Sequence, residues 1–394
     1  MPLEKTPIQG YCAPGYEPVR ETFAQLFATA GEQGAAVAVF KRGELLLNLW
    51  GGTRDKAQTQ PWEAQTQVNG FSANKAMAAI CALQLVESGA LNLEQKVAHY
   101  WPAFAAAGKG DIRVRDILCH RSGVSAFHEP VPDAAIYDWD AITARIEAEK
   151  PWWTPGSEQG YSPIIYGWVV GELVRRVSGA ATFNDYFQAQ VARPLGLDDY
   201  HFGVPTELQP QLAAVGPLKQ LQAGAGDLGR MMKADPGGLV NKAFTNPMSL
   251  MLGINSPPWR SAQIPAANGH ASARALATIY GALAAGGTMQ DTQLLGPTTL
   301  PLCWQEQSRS AQDRVLGVPL RFSLGFMLTG EREDCRFGRG ARGFGHPGAG
   351  GCLGFADPDH GIGFGYVTNR LGQSLLIDER ARALVDTLYR VETE

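Results

Sequence analysis

Gly70-Phe71-Ser72-Ala73-Asn74-Lys75 runs straight into Ala76-Met77-Ala78-Ala79-Ile80-Cys81-Ala82-Leu83-Gln84-Leu85-Val86, a stretch with one polar residue in eleven and neither Gly nor Pro. A helix apolar on nearly every side belongs in the interior of a domain. Ser72 and Lys75, three positions apart, project from one face of its first turn. There the free N–H groups and the positive end of the helix dipole favour developing negative charge. Ser-x-x-Lys alone is a weak motif, because a capping serine beside a surface lysine has the same spacing.

On the N-terminal side of this helix, residues 17–30 carry Val19, Phe23, Leu26 and Phe27 at helical spacing. Ala35–Phe40 and Glu44–Trp50 read as two strands joined by a tight turn at Lys41-Arg42-Gly43. On its C-terminal side, to about residue 300, the signals are mostly helical. Val114–His120, Trp139–Lys150, Ile165–Ser178, Thr182–Ala192 and Ser272–Ala285 are the segments, with Gly179 as a stop signal. Residues 205–260 are rich in Pro, Gly and Asn and read as a long irregular, lid-like segment. After 320, strands return at Phe322–Leu328, Gly351–Ala356 and Gly361–Thr368, the last two joined at Asp357-Pro358-Asp359-His360. A helix over 374–391 closes the chain, burying Leu375, Ile377, Leu384, Val385 and Leu388. Strands near both ends imply one antiparallel sheet flanked by N- and C-terminal helices, with an all-helical domain inserted. The expected division is an α/β domain from 1–60 and 311–394, and a helical domain over 61–310 that carries the Ser-x-x-Lys helix.

The bulk numbers agree with a two-lobed globular protein: 394 residues, 45% hydrophobic and 18% charged. A net charge of −4 offers no basic face for nucleic acid or anionic lipid. No apolar run approaches a membrane span, and Met1–Pro7 lacks the apolar core of a signal peptide. The six cysteines (12, 81, 119, 303, 335 and 352) show no paired spacing, which points to reduced thiols in a cytoplasmic protein. The seven histidines lack metal-ligand spacing, so neither a metal nor another cofactor is expected. Gly338–Gly343 fits Gly-x-Gly-x-x-Gly, but no helix follows it, so it is no dinucleotide fingerprint. Asn74 stands where Gly-x-Ser-x-Gly needs its second glycine, which disfavours a nucleophile elbow.

Two further pieces could join Ser72 and Lys75. Tyr161 lies in a loop leading into the Ile165 helix; such a tyrosine often just anchors its loop, but it could also relay a proton. Gly343-Phe344-Gly345-His346-Pro347-Gly348-Ala349-Gly350-Gly351 enters a strand, and its glycines would let a substrate lie against backbone N–H groups.

Together and in this order, these pieces resemble the serine β-lactamase and penicillin-binding-protein superfamily, its class C-like branch, and within that the family VIII carboxylesterases. Leu49-Trp50-Gly51-Gly52, Leu118–Val124, Trp153–Gly156 before Tyr161-Ser162, and Gly345–Gly348 before Phe355–Pro358 carry the likeness over almost the whole chain. The resemblance implies a two-lobed β-lactamase/transpeptidase-like fold with the active site between the lobes. It implies Ser72 as acylated nucleophile, Lys75 as its base, Tyr161 as general base or proton shuttle, and an oxyanion hole from the N–H groups of Ser72 and Ala349, after His346 and Gly348. Two departures bear on substrate. Pro163 stands where the β-lactamases of this class have an asparagine, and His346-Pro347 replaces Lys-Thr of their third motif. Both changes weaken a grip on a carboxylate-bearing amide and leave acyl transfer intact, so the expected enzyme is a carboxylesterase acting on a small-molecule ester. The alternatives are a β-lactamase, a D-amino-acid peptidase or small-amide hydrolase with the same mechanism, an acyltransferase, and, last, a non-catalytic binding relative. Phe127, Tyr137, Trp152 and Trp259 are candidates for an acyl pocket, although core packing explains them equally well. Oligomeric state is not legible.

Overall fold

The computed structural model describes residues 6–218 and 227–393. Part of the irregular 205–260 segment, residues 219–226, lies outside the described residues, as do residues 1–5 of the N-terminal reading. The described part of 205–260 holds a 3-10 turn at Gln209–Gln211, a two-residue strand at Gly216–Pro217 and four short helices, Asp227–Ala234, Leu239–Thr245, Ser249–Leu252 and Pro257–Ser261.

Nine strands form one antiparallel sheet: β1 (Ile8–Cys12), β2 (Gly34–Lys41), β3 (Glu44–Gly52), β4 (Ser308–Ser310), β5 (Leu320–Phe322), β6 (Met327–Leu328), β7 (Phe344–Pro347), β8 (Leu353–Asp357) and β9 (Ile362–Thr368). Their order is β1-β3-β2-β9-β8-β7-β6-β5-β4, so N- and C-terminal strands meet where β2 pairs with β9, with Val37 opposite Tyr366. The β2–β3 turn is a two-residue hairpin in which Arg42 and Gly43 both take positive φ, 51° and 84°. That geometry matches the right-handed twist of the flanking strands. Phe322–Leu328, expected as one strand, is instead a hairpin. Ser323 N donates to Phe326 O at 3.0 Å, and Gly325 turns the chain at φ 95°.

Alternation along β2 sorts its side chains onto two faces. Val37 and Val39 pack with Val19, Phe23, Leu384 and Leu388 from the terminal helices α1 (Glu17–Thr29) and α5 (Glu379–Val391). Ala36, Ala38 and Phe40 face Leu276 and Tyr280 of α4 (Ala273–Ala284), a helix inside the 61–310 span that nevertheless packs on the sheet. Helix α5 begins later than expected because Asp378 caps it, accepting from Arg380 N at 3.0 Å. Leu375 and Ile377 therefore pack from the approach to the helix.

The apolar stretch forms α2 (Lys75–Glu87), with ten of its thirteen residues buried. It packs against α3 (Ile165–Ser178), which ends at Gly179 in a left-handed conformation. Burying Met77, Ile80 and Leu83 contributes roughly 1.5–3 kcal/mol each. Ser72 does not sit in the α-helix itself. It lies in a 3-10 turn, Phe71–Asn74, immediately ahead of it.

Candidate active site

Phe71, the residue before Ser72, has φ 48°. A bulky side chain in the left-handed region costs on the order of 1–2 kcal/mol. Asn74 offsets that cost: its Nδ2 donates to Phe71 O at 2.7 Å and to Gly269 O at 3.0 Å, while its Oδ1 accepts from Tyr200 at 2.7 Å. The strained turn leaves Ser72 half-buried, with its side chain turned to Lys75.

Lys75 is fully buried, and its Nζ has three oxygen neighbours: Ser72 Oγ at 3.0 Å, Pro163 O at 2.5 Å and Ala266 O at 3.1 Å. Burial pushes its pKa well below the ordinary lysine value. A neutral amine has two N–H donors and one lone pair. Two carbonyls, which can only accept, take both donors and leave the lone pair for the Ser72 hydroxyl. The same three oxygens satisfy the ammonium after it has taken a proton.

Tyr161 closes the group. The ammonium position lies 4.9 Å from its ring centroid, and its phenol interacts with the Ser72 hydroxyl. Burial raises the Tyr161 pKa above its usual value, so it is a neutral phenol at ordinary pH. The loop that carries it is gripped from two sides. Asp313 receives Tyr161 N at 3.0 Å, Val315 N at 2.9 Å, Leu316 N at 3.0 Å and Gln159 Nε2 at 3.2 Å. Burial raises the Asp313 pKa, and these donors hold it back. On the other side His120, itself at φ 59°, accepts Gly160 N on its carbonyl at 3.0 Å and Ser162 N on Nδ1 at 3.2 Å. Its pKa is driven well below the usual histidine value by burial, then by Lys75 and His346. The ring is therefore neutral, which its role as acceptor requires. Leu118–Val124 thus braces the tyrosine loop.

His346 lies on β7, with its ring 5.8 Å from that of Tyr161. Its Nδ1 faces Pro347 O at 2.8 Å and must be the protonated nitrogen, because a carbonyl only accepts. Burial, then Lys75, lowers its pKa to about 3, so the ring is neutral and buried Nε2 presents a lone pair with no partner among the described residues. Just beyond, Gly348 lies against the serine turn: a Cβ there would stand 2.2 Å from Gly70 O. The half-buried Ala349 follows Gly348 directly, so this contact sets it one residue from the turn that carries Ser72. No backbone hydrogen bond among the described residues consumes the N–H of Ala349 or of Ser72.

Ser72, Lys75, Tyr161 and His346 thus lie in one group, and Gly348, with Ala349 after it, lies against the turn that carries Ser72. Asp313, Asn74 and the bracing role of His120 were missed. Asp313 is 152 residues from Tyr161 and belongs to no motif, so nothing local announces it. Of the four candidate pocket aromatics, Phe127 and Trp259 are buried in the helical core, Tyr137 packs against it, and Trp152 stacks on His128 at 3.9 Å. Packing accounts for them. Among the described residues no group of three His, Cys, Asp or Glu side chains could hold a metal ion, and no helix is long and apolar enough to cross a membrane.

The beta-lactamase family model matches residues 19–387. The esterase/beta-lactamase LipL of Mycobacterium tuberculosis is 32% identical over 378 residues, covering 95% of this chain and 86% of that protein. A family VIII carboxylesterase of known structure superimposes with a TM-score of 0.89 at 34% identity, covering 98% of this chain and all of the other. A penicillin-binding protein homolog from Caulobacter crescentus gives 0.88 and 36%, again over 98% of this chain and 100% of that one.

Proposed function

The chain belongs to the beta-lactamase family, with its β-lactamase/transpeptidase-like fold, and is a serine hydrolase of carboxylic esters, and we propose that it works through an acyl-enzyme on Ser72. The observation that carries this reading is the Lys75 amine, whose two donors are taken by carbonyls while Ser72 Oγ lies 3.0 Å away. Neutral Lys75 takes the Ser72 proton as Oγ bonds to the ester carbonyl carbon. The oxyanion is held by the N–H groups of Ser72 and Ala349. When the C–O bond breaks, Tyr161 gives its proton to the leaving alcohol and regains one from Lys75. A phenol that stays protonated at ordinary pH suits this shuttle better than the role of free base. Water then repeats the sequence in reverse: its proton goes to Tyr161 and Lys75, the acid leaves, and Ser72 recovers its hydrogen.

Two features favour esters over antibiotic or peptidoglycan amides. Pro163 has no side-chain amide, and its carbonyl is already engaged by Lys75. Neutral His346 supplies an acceptor where a substrate carboxylate would need a cation or donor. The reading also takes the lobes to be 1–60 with 311–394 and 61–310. It takes the protein to be cytoplasmic, in keeping with six unpaired thiols. A p-nitrophenyl ester panel from acetate to decanoate, run beside nitrocefin and with added alcohol, tests it. The expected result is ester turnover at least about 100-fold above that of nitrocefin, and a fluorophosphonate adduct on Ser72 by peptide mass spectrometry. Comparable nitrocefin turnover would return the β-lactamase alternative, and dominant ester exchange with the alcohol the acyltransferase. Full activity in Ser72→Ala would sink the mechanism.

A further inference from the structure

Beneath the sheet, away from the nucleophile, lies a charged cluster that the reaction itself does not use. Arg380, on α5, is 4% exposed. Its Nη1 donates to Glu32 at 2.7 Å and to Arg370 O at 2.9 Å, and its Nε donates to Asp378 at 2.7 Å. Glu32 also accepts from Thr368 Oγ1 at 2.6 Å and from the Tyr366 hydroxyl. Two acidic groups fix the guanidinium, yet Nη2 is directed elsewhere. It donates to Gly350 O at 2.6 Å, one residue past Ala349.

A trans peptide is planar, with its C=O and N–H on opposite sides, so holding one end aims the other. Gly350 O, held by Arg380 and by Gly372 N at 2.8 Å, shares a peptide plane with the N–H of Gly351. That N–H donates to Gly348 O at 3.1 Å. Gly348 O in turn shares a peptide plane with the N–H of Ala349, which is thereby turned away from Gly351, at the point where Gly348 lies against the serine turn at Gly70 O. The contact is tight. At Gly351, φ 141°, a Cβ would stand 2.6 Å from Arg380 Nη2, so the glycine pair lies directly on the guanidinium. Gly350 N, donating to Ser374 O at 2.8 Å, pins the same dipeptide from its other side.

We propose that Arg380, clamped by Glu32 and Asp378, is a positioning residue for the oxyanion hole, aiming the Ala349 N–H through the two peptide planes of Gly348–Gly351. The inference rests on the serine-esterase reading above and adds to it a residue on the opposite side of the sheet. Arginine is required because its fork reaches two carboxylates and two carbonyls at once; a lysine cannot.

The test is Arg380→Lys with a p-nitrophenyl ester, normalising kcat to active sites counted from the burst of p-nitrophenol. Misaiming one oxyanion donor should lower kcat per site by about 10–100-fold and leave KM within about threefold. The affinity of a trifluoromethyl ketone, which forms a tetrahedral oxyanion on Ser72, should fall in parallel with kcat/KM. A purely structural role would reduce the number of active sites and leave kcat per site and ketone affinity unchanged, and that result overturns the proposal. If Arg380→Lys does not fold, Asp378→Asn decides, because it keeps the helix cap and loosens the guanidinium. A fall in kcat per site of about threefold or more supports the inference, and no change overturns it. Wild-type enzyme without a burst, or a burst surviving in Ser72→Ala, would fail the esterase reading instead, and the two failures are therefore distinct.

Discussion

At the scale of single residues, the site depends on one group, Lys75, held in its less common protonation state. Lys75 is buried without a carboxylate partner among the described residues, so its charged form is the costly one. Because the reaction needs the neutral amine, kcat/KM should rise with pH as Lys75 loses its proton and level off well below the ordinary lysine pKa. A pH–rate profile that is still climbing near the usual lysine value would contradict the assignment. Lys75→Arg, which is charged at every accessible pH, should lower kcat by about 10²–10⁴-fold. Tyr161→Phe removes only the relayed proton and should cost a similar factor, with little change in melting temperature. Ser72, Lys75 and Tyr161 were legible because short motifs carry them. The protonation states were not, since Pro163 O and Ala266 O reach Lys75 from residues 88 and 191 positions away.

At the scale of elements, loops matter more than helices. The helix ends at Gly179 and Ser272, and the Arg42-Gly43 hairpin, follow local rules and were readable from the chain. The 322–328 hairpin was not, because a run of apolar residues has no marker for the point where pairing partners change. Two loop predictions follow from geometry. Asp313→Ala leaves the N–H groups of Tyr161, Val315 and Leu316 buried without acceptors and should cost roughly 2–4 kcal/mol in urea unfolding. Asp313→Asn, which keeps one carbonyl oxygen, should lose less. Gly348→Ala places a methyl 2.2 Å from Gly70 O, which forces β7 away from the serine turn. Its kcat should drop about 10-fold or more while the far-UV circular dichroism spectrum stays unchanged.

At the scale of the whole molecule, three histidines are buried and neutral: His120, His270 and His346. Their pKa values are depressed on folding, to about 3 for His270 and His346. The unfolded chain therefore binds protons that the native state refuses once the pH falls below the ordinary histidine value. Stability is full above about 6.5 and falls toward lower pH, by about 1.4 kcal/mol per pH unit for each such histidine. Urea midpoints measured from pH 7 to 5 should show this slope, and His346→Gln should reduce it by one histidine's share. The amino-acid sequence by itself determined the antiparallel sheet drawn from both termini, the buried helix and the candidate residues of the site, because periodicity, turn chemistry and short motifs are local. Only the tertiary structure decided how those residues are held. The lone pair of Lys75, the orientation of the Tyr161 loop and the aim of the Ala349 N–H depend on Pro163, Ala266, Asp313 and Arg380. Those partners come from separate parts of the chain, and only the packing of the sheet against its helices brings them within hydrogen-bond range.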